Sequence, residues 1–250
     1  MKIIIQNIAT EYRDEGSGPV MLLLHGWQDN NHTFDALVPY FFHTHRMIRI
    51  DLPGFGQSEM PPASWNLDDC VRFVAAFIDK LNLAVAVLVG HSFGGRIVIK
   101  GIADKKLHAD AVVLIASAGV ALRHPARTLF FAVGAMAWRM ITAIPLFRFW
   151  KETIRKKLYR MIGSDYADAG ALSDTFVRII AEDVSASARM IEMSVLLIWG
   201  ADDTQTPLAE GRRLSSLISQ STLRVINKAG HFVHKEHPRE VARIIKEYMA

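Results

Sequence analysis

The chain has 250 residues, half of them hydrophobic, with a formal net charge of +4. That length suits one sizeable domain with a substantial core, and the small charge makes no global case for nucleic-acid binding. A single cysteine, Cys70, excludes an internal disulfide and fits a reducing compartment.

Residues 3–5 and 9–13 predict two short strands around a Gln6-Asn7 turn. The first residues are too briefly apolar for a signal peptide, so a cytoplasmic location is expected. Val20–Leu24 is a continuous apolar run, as in a strand buried on both faces, and it ends in His25-Gly26-Trp27. Residues 33–42 have helical character. Arg46–Ile50 predicts the next strand, followed by the Gly/Pro-rich loop Asp51-Leu52-Pro53-Gly54-Phe55-Gly56-Gln57-Ser58. Asn66 is a good N-cap for a helix reaching Lys80, with Leu67, Cys70, Val71, Val74, Phe77, Ile78 and Leu81 at helical spacing.

Residues 84–89 lead as a strand into Gly90-His91-Ser92-Phe93-Gly94-Gly95, and residues 96–103 lead out as a helix. A strand that turns at once into a helix strains the residue at the corner, and neighbours with a Cβ would collide there. Glycines at two-residue spacing around Ser92 fit such a corner. Ala111–Ile115 predicts another buried strand. The strand–helix rhythm breaks over 117–193. It resumes with a strand at 195–199, a helix at 208–218, a strand at 223–226 and a closing helix at Pro238–Met249 with proline in its first turn. This alternation predicts an α/β fold, a mainly parallel sheet with helices on both faces. Ligands bind such sheets beyond the carboxyl ends of the strands, where each of these motifs falls.

A serine hydroxyl at neutral pH needs a general base, and histidine suits the task. His231, in Ala229-Gly230-His231-Phe232, follows the last strand in a loop. His234 and His237 lie nearby, but no Cys or acidic cluster joins them, so no metal is expected. A carboxylate should orient the base. Asp202 and Asp203 compete for that role; the spacing from Gly200 to Pro207 places Asp203 at the loop apex and favours it. The backbone N–H groups of Phe93 and Trp27 are the candidate oxyanion donors. His25 reads as a structural residue of its own loop.

Five segments together carry a resemblance: Leu24-His25-Gly26-Trp27, the 51–58 loop, Gly90-His91-Ser92-Phe93-Gly94-Gly95, residues 200–207 and Gly230-His231-Phe232. In this order and spacing the chain resembles the α/β-hydrolase superfamily over nearly its whole length. The resemblance implies the α/β-hydrolase fold, a catalytic Ser92–Asp203–His231 triad and no cofactor. Relatives resembling haloalkane dehalogenases and epoxide hydrolases carry aspartate at the corner, so Ser92 argues against both. The 24–27 and 51–58 segments look like those of small carboxylesterases. A serine carboxylesterase working through an acyl-enzyme is therefore expected. A lactonase or carbon–carbon bond hydrolase with the same triad is the alternative, and a non-catalytic binder the weakest.

In that family an insertion such as 117–193 forms a helical cap over a core made of 1–116 and 194–250. Its apolar residues Phe130, Met136 and Trp138, with Trp27 and Phe232 of the core, are expected to wall the substrate pocket. Residues 121–160 hold nine Lys/Arg and one acid, Glu152. Such a rim would attract an anionic substrate, carrier protein or lipid surface; an ordinary amphipathic cap with solvated lysines fits the charges better. Residues 129–147 are apolar enough to resemble a membrane span, but Arg139 and Pro145 interrupt them. A small-molecule ester or lactone substrate, no nucleic acid, and a monomer or homodimer complete the expectation.

Overall fold

The computed structural model describes residues 1–120 and 170–250. Their strands are β1 (Lys2–Ile5), β2 (Ile8–Glu15), β3 (Val20–Leu24), β4 (Arg46–Ile50), β5 (Val85–His91), β6 (Ala111–Ile115), β7 (Val195–Gly200) and β8 (Ser221–Ile226). They form one sheet in the order β1-β2-β4-β3-β5-β6-β7-β8. β1 and β2 pair antiparallel, as do β2 and β4; every later pairing is parallel. The β1–β2 hairpin turns on Gln6 and Asn7, both at positive φ, as a tight two-residue turn requires.

Side chains alternate between the two sheet faces. Leu22, Leu24, Leu88, Leu114 and Leu197 join a core on one face with α2 (Leu67–Lys80), α3 (Phe93–Ala103) and α6 (Leu208–Leu217). Met21, Leu23, Val87, Val89, Val113 and Ile198 face the other way, onto α1 (Val38–Phe41), α7 (Val233–Glu236) and α8 (Pro238–Met249). Burial on both faces is why the central strands are uniformly apolar, each leucine adding about 1.5–3 kcal/mol. Cys70 is a buried thiol in the first of these cores, and burial pushes its pKa up.

Two elements differ from their sequence reading. The helix predicted at 33–42 is a 3-10 helix, Asn31–Leu37, running into the short α1; Asn30 caps it at His32 N. Helix α3 begins at Phe93, directly after Ser92, earlier than the predicted 96. Gly94 and Gly95 are weak helix formers by themselves, but close packing demands them: a methyl on Gly94 would lie 2.2 Å from Leu24 O, and one on Gly95 2.2 Å from Ser117 Oγ.

The described part of the 117–193 insertion comprises a 3-10 turn at Gly170–Leu172, α4 (Ser173–Ala181) and α5 (Ser185–Arg189). It docks on the core beside the carboxyl ends of the strands. Phe176 packs on Trp27, and Trp65 N donates to Thr175 Oγ1 at 3.0 Å. Arg96 of α3 donates to the carbonyls of Ile179 and Glu182, at the C-terminal end of α4. That end carries the negative pole of the helix dipole.

Candidate active site

Ser92 sits between β5 and α3 at φ 50°, ψ −109°. A non-glycine residue rarely adopts this conformation, and its surroundings hold it there. Ser92 N donates to Ile115 O at 3.0 Å, and Ala118 N donates to Ser92 O at 3.1 Å. The glycines make room: a methyl on Gly90 would meet Gly94 O and Gly95 N at 2.7 Å. Phe93 is the first residue of α3, so its N–H has no partner within the helix and lies at the positive end of the dipole.

The loop after β3 closes on this corner. Gly94 N donates to His25 O at 3.0 Å. A methyl on Gly26 would lie 3.3 Å from Ser92 Cβ. His25 is buried and structural, as expected: Leu52 N donates to its Nε2 at 2.9 Å, and its Nδ1 lies 2.7 Å from Gly26 O. Trp27 follows in this loop. Its ring packs edge-on against Phe55 and Phe93, at 4.9 and 5.4 Å, and tilted against Phe176 at 5.0 Å. The ring therefore belongs to an aromatic cluster between core and insertion.

Asp203 and His231 meet. The loop after β7 is drawn back by Trp199 Nε1, which donates to Thr206 O at 2.7 Å. Asp203 is buried in it; the backbone N–H groups of Gln205 and Thr206 donate to its Oδ1, each at 2.9 Å. His231 Nδ1 lies 2.9 Å from Asp203 Oδ2. A carboxylate only accepts, so Nδ1 carries the proton and Nε2 presents a lone pair. Burial pushes the Asp203 carboxyl up, but the bonds from His231 and Thr206 outweigh it and hold the pKa below the usual range. Asp202 is exposed.

His231 lies next to the serine corner. His91, the residue before Ser92, has its ring 4.8 Å from the His231 ring. Phe232 is half-buried beside His231, its ring 5.4 Å away with Lys235 Nζ over it. His234 and His237 diverge from His231, toward Thr33 Oγ1 and Lys228 O respectively. Phe130, Met136, Trp138, the basic stretch 121–160 and the apolar stretch 129–147 lie outside the described residues. Among the described residues no helix is long and apolar enough to cross a membrane.

Three nearby groups escaped the sequence reading. Thr206 Oγ1 lies 2.8 Å from Asp203 Oδ2, 3.2 Å from His231 Nδ1 and 3.1 Å from Ala116 O. The Glu210 carboxyl near Arg96 is pushed up to about 7 by burial, with Arg96 opposing and Asp203 reinforcing the rise. His91 is the third.

A serine at a strained corner, an imidazole whose proton is fixed by a buried carboxylate, and a free helix N–H are the parts of nucleophilic acyl chemistry. The chain is similar to several known proteins. An uncharacterized hydrolase of Bacillus subtilis is 26% identical over 97% of this chain and 94% of its own length. A 2-hydroxymuconate semialdehyde hydrolase of Pseudomonas sp. strain CF600 is 27% identical over 100% of this chain and 93% of its own. A thermophilic esterase from Thermogutta terrifontis superposes with a TM-score of 0.73 at 24% identity, over 100% of this chain and 97% of its own; that likeness speaks to the fold. The profile of the alpha/beta hydrolase family matches residues 21–244, and the chain belongs to that family and is a hydrolase enzyme.

Proposed function

We propose that this hydrolase cleaves carboxylic esters through an acyl-enzyme formed on Ser92. The observation that carries the reading is the buried Asp203–His231 hydrogen bond of 2.9 Å, next to a serine held at φ 50°. His231 Nε2 takes the hydroxyl proton as Ser92 Oγ bonds to the ester carbonyl carbon. The Phe93 and Trp27 N–H groups stabilise the resulting oxyanion. The intermediate collapses, the carbon–oxygen bond to the alcohol breaks, and His231 hands its proton to the leaving alkoxide. Water then attacks the acyl-enzyme with His231 again as base, releasing the acid and restoring Ser92. Asp203 holds the imidazole in the required tautomer and stabilises the imidazolium.

Carbon–carbon bond hydrolysis is the second reading, favoured by the 27% identical relative named as a semialdehyde hydrolase. The same three side chains would serve it, and would equally serve lactone opening. The purified enzyme should be offered p-nitrophenyl esters of graded chain length, acyl lactones and a vinylogous diketone. The ester reading expects the highest kcat/KM on an ester. A diketone or lactone preferred by tenfold or more would replace it.

A further inference from the structure

Three loops that the proposed chemistry needs converge on one side chain it does not use. His91 is 1% exposed and immediately precedes Ser92. Its Nε2 lies 3.1 Å from the backbone carbonyl oxygen of His231. On its other edge a methyl on Gly26, the residue before Trp27, would lie 3.0 Å from Nδ1. Behind it the His234 ring stands 4.5 Å away, with His234 Nε2 3.0 Å from Thr33 Oγ1 and the Phe34 ring 5.2 Å off. One imidazole thus touches the nucleophile corner, the oxyanion loop and the histidine loop.

Its tautomer follows from its partners. A carbonyl only accepts, so Nε2 carries the proton. Nδ1 keeps a lone pair and, among the described residues, has no hydrogen-bond partner. A leucine would fill similar space without a buried unsatisfied nitrogen. Core filling alone therefore does not account for histidine here. What the imidazole supplies is the bond to the carbonyl of His231.

We propose that His91 is a positioning residue: its bond to the His231 carbonyl ties the histidine loop to the corner and sets the separation of Ser92 from the His231 imidazole. The proposal rests on the reading of Ser92 and His231 as nucleophile and base. Misplacing reacting groups by about 1 Å costs on the order of 100-fold in rate, so the tether acts on kcat and leaves KM nearly unchanged.

The test compares His91→Leu, His91→Gln and His91→Asn with the wild type on a p-nitrophenyl ester, below the melting temperature of each. A Gln amide nitrogen reaches about as far from Cβ as Nε2, whereas an Asn amide falls one methylene short. His91→Leu and His91→Asn should lower kcat by about 30-fold or more, with KM within about threefold. His91→Gln should recover to within about fivefold of the wild type. If His91→Leu does not fold, the Gln and Asn pair decides. Equal rates for Gln and Asn, or wild-type kcat in the Leu variant, overturn the proposal. Imidazole nitrogen NMR of the wild type reads the tether without turnover. The groups facing His91 are His231, His234 and Asp29, and its ring should stay neutral with the proton on Nε2 from pH 6 to 8. A proton on Nδ1 overturns the tether. If the wild type turns over no substrate and a fluorophosphonate does not label Ser92, the hydrolytic reading of the site falls, and the NMR result alone decides the tether.

Discussion

Asp202 and Asp203 are the same residue type one position apart, and their surroundings divide them. Asp203 accepts from two backbone N–H groups on one oxygen and lies within hydrogen-bond reach of Thr206 and His231 on the other. Asp202 is exposed. Asp203→Asn removes the acceptor that selects the tautomer of His231 and should lower kcat/KM by about 10²–10⁴-fold. Asp202→Asn should stay within about threefold. Steady-state rates on p-nitrophenyl acetate decide, and the reverse ranking would transfer the role to Asp202. Loop spacing alone favours Asp203, because the distance from a strand-end glycine to a helix-starting proline constrains which carboxylate stands at the apex. Thr206 and His91 left no such trace. A threonine in a loop has no periodicity, and the corner motif restricts its glycines and serine while leaving the residue between free.

At the scale of elements, close approach of backbones is what builds the site. Gly94 lets α3 run under the carboxyl end of β3, where a methyl would lie 2.2 Å from Leu24 O. That obstacle is backbone in a central strand and cannot swing aside. Gly94→Ala should therefore cost about 1–3 kcal/mol or more. A urea melt measures it, and an unchanged midpoint with unchanged slope would contradict the packing. The parallel strands were legible as unbroken apolar runs, because burial on both faces removes the polar half of the alternation. The α2 start was legible from Asn66, which forms a capping box with Asp69. The start of α3 was not, since glycine's low helix propensity conceals a helix that close packing imposes. How α4 docks was not legible either. Helical spacing marks an apolar face, but the Trp27–Phe176 contact that receives it joins positions far apart in the chain.

For the whole molecule, buried histidines set the response to pH. Burial lowers the pKa of His25 and His91, and lowers that of His234 to about 3. Below about 6.5 an unfolded histidine binds a proton that these folded ones refuse. Their contribution is therefore fully present above about pH 6.5 and is lost as pH falls below it. Glu210, raised to about 7, takes up a proton in the folded state between roughly pH 7 and 4.5 and offsets one of the three. Urea midpoints at pH 7.5, 6.5 and 5.5 should fall at the acid end of the series. A flat series would mean that these imidazoles accept protons in place. The central claim concerns the hydroxyl at position 92. Ser92→Ala removes one oxygen from a half-buried corner, so its thermal melt should match the wild type. Its kcat on p-nitrophenyl acetate should fall by on the order of 10⁴-fold or more; a folded Ser92→Ala enzyme retaining the wild-type rate would contradict the account.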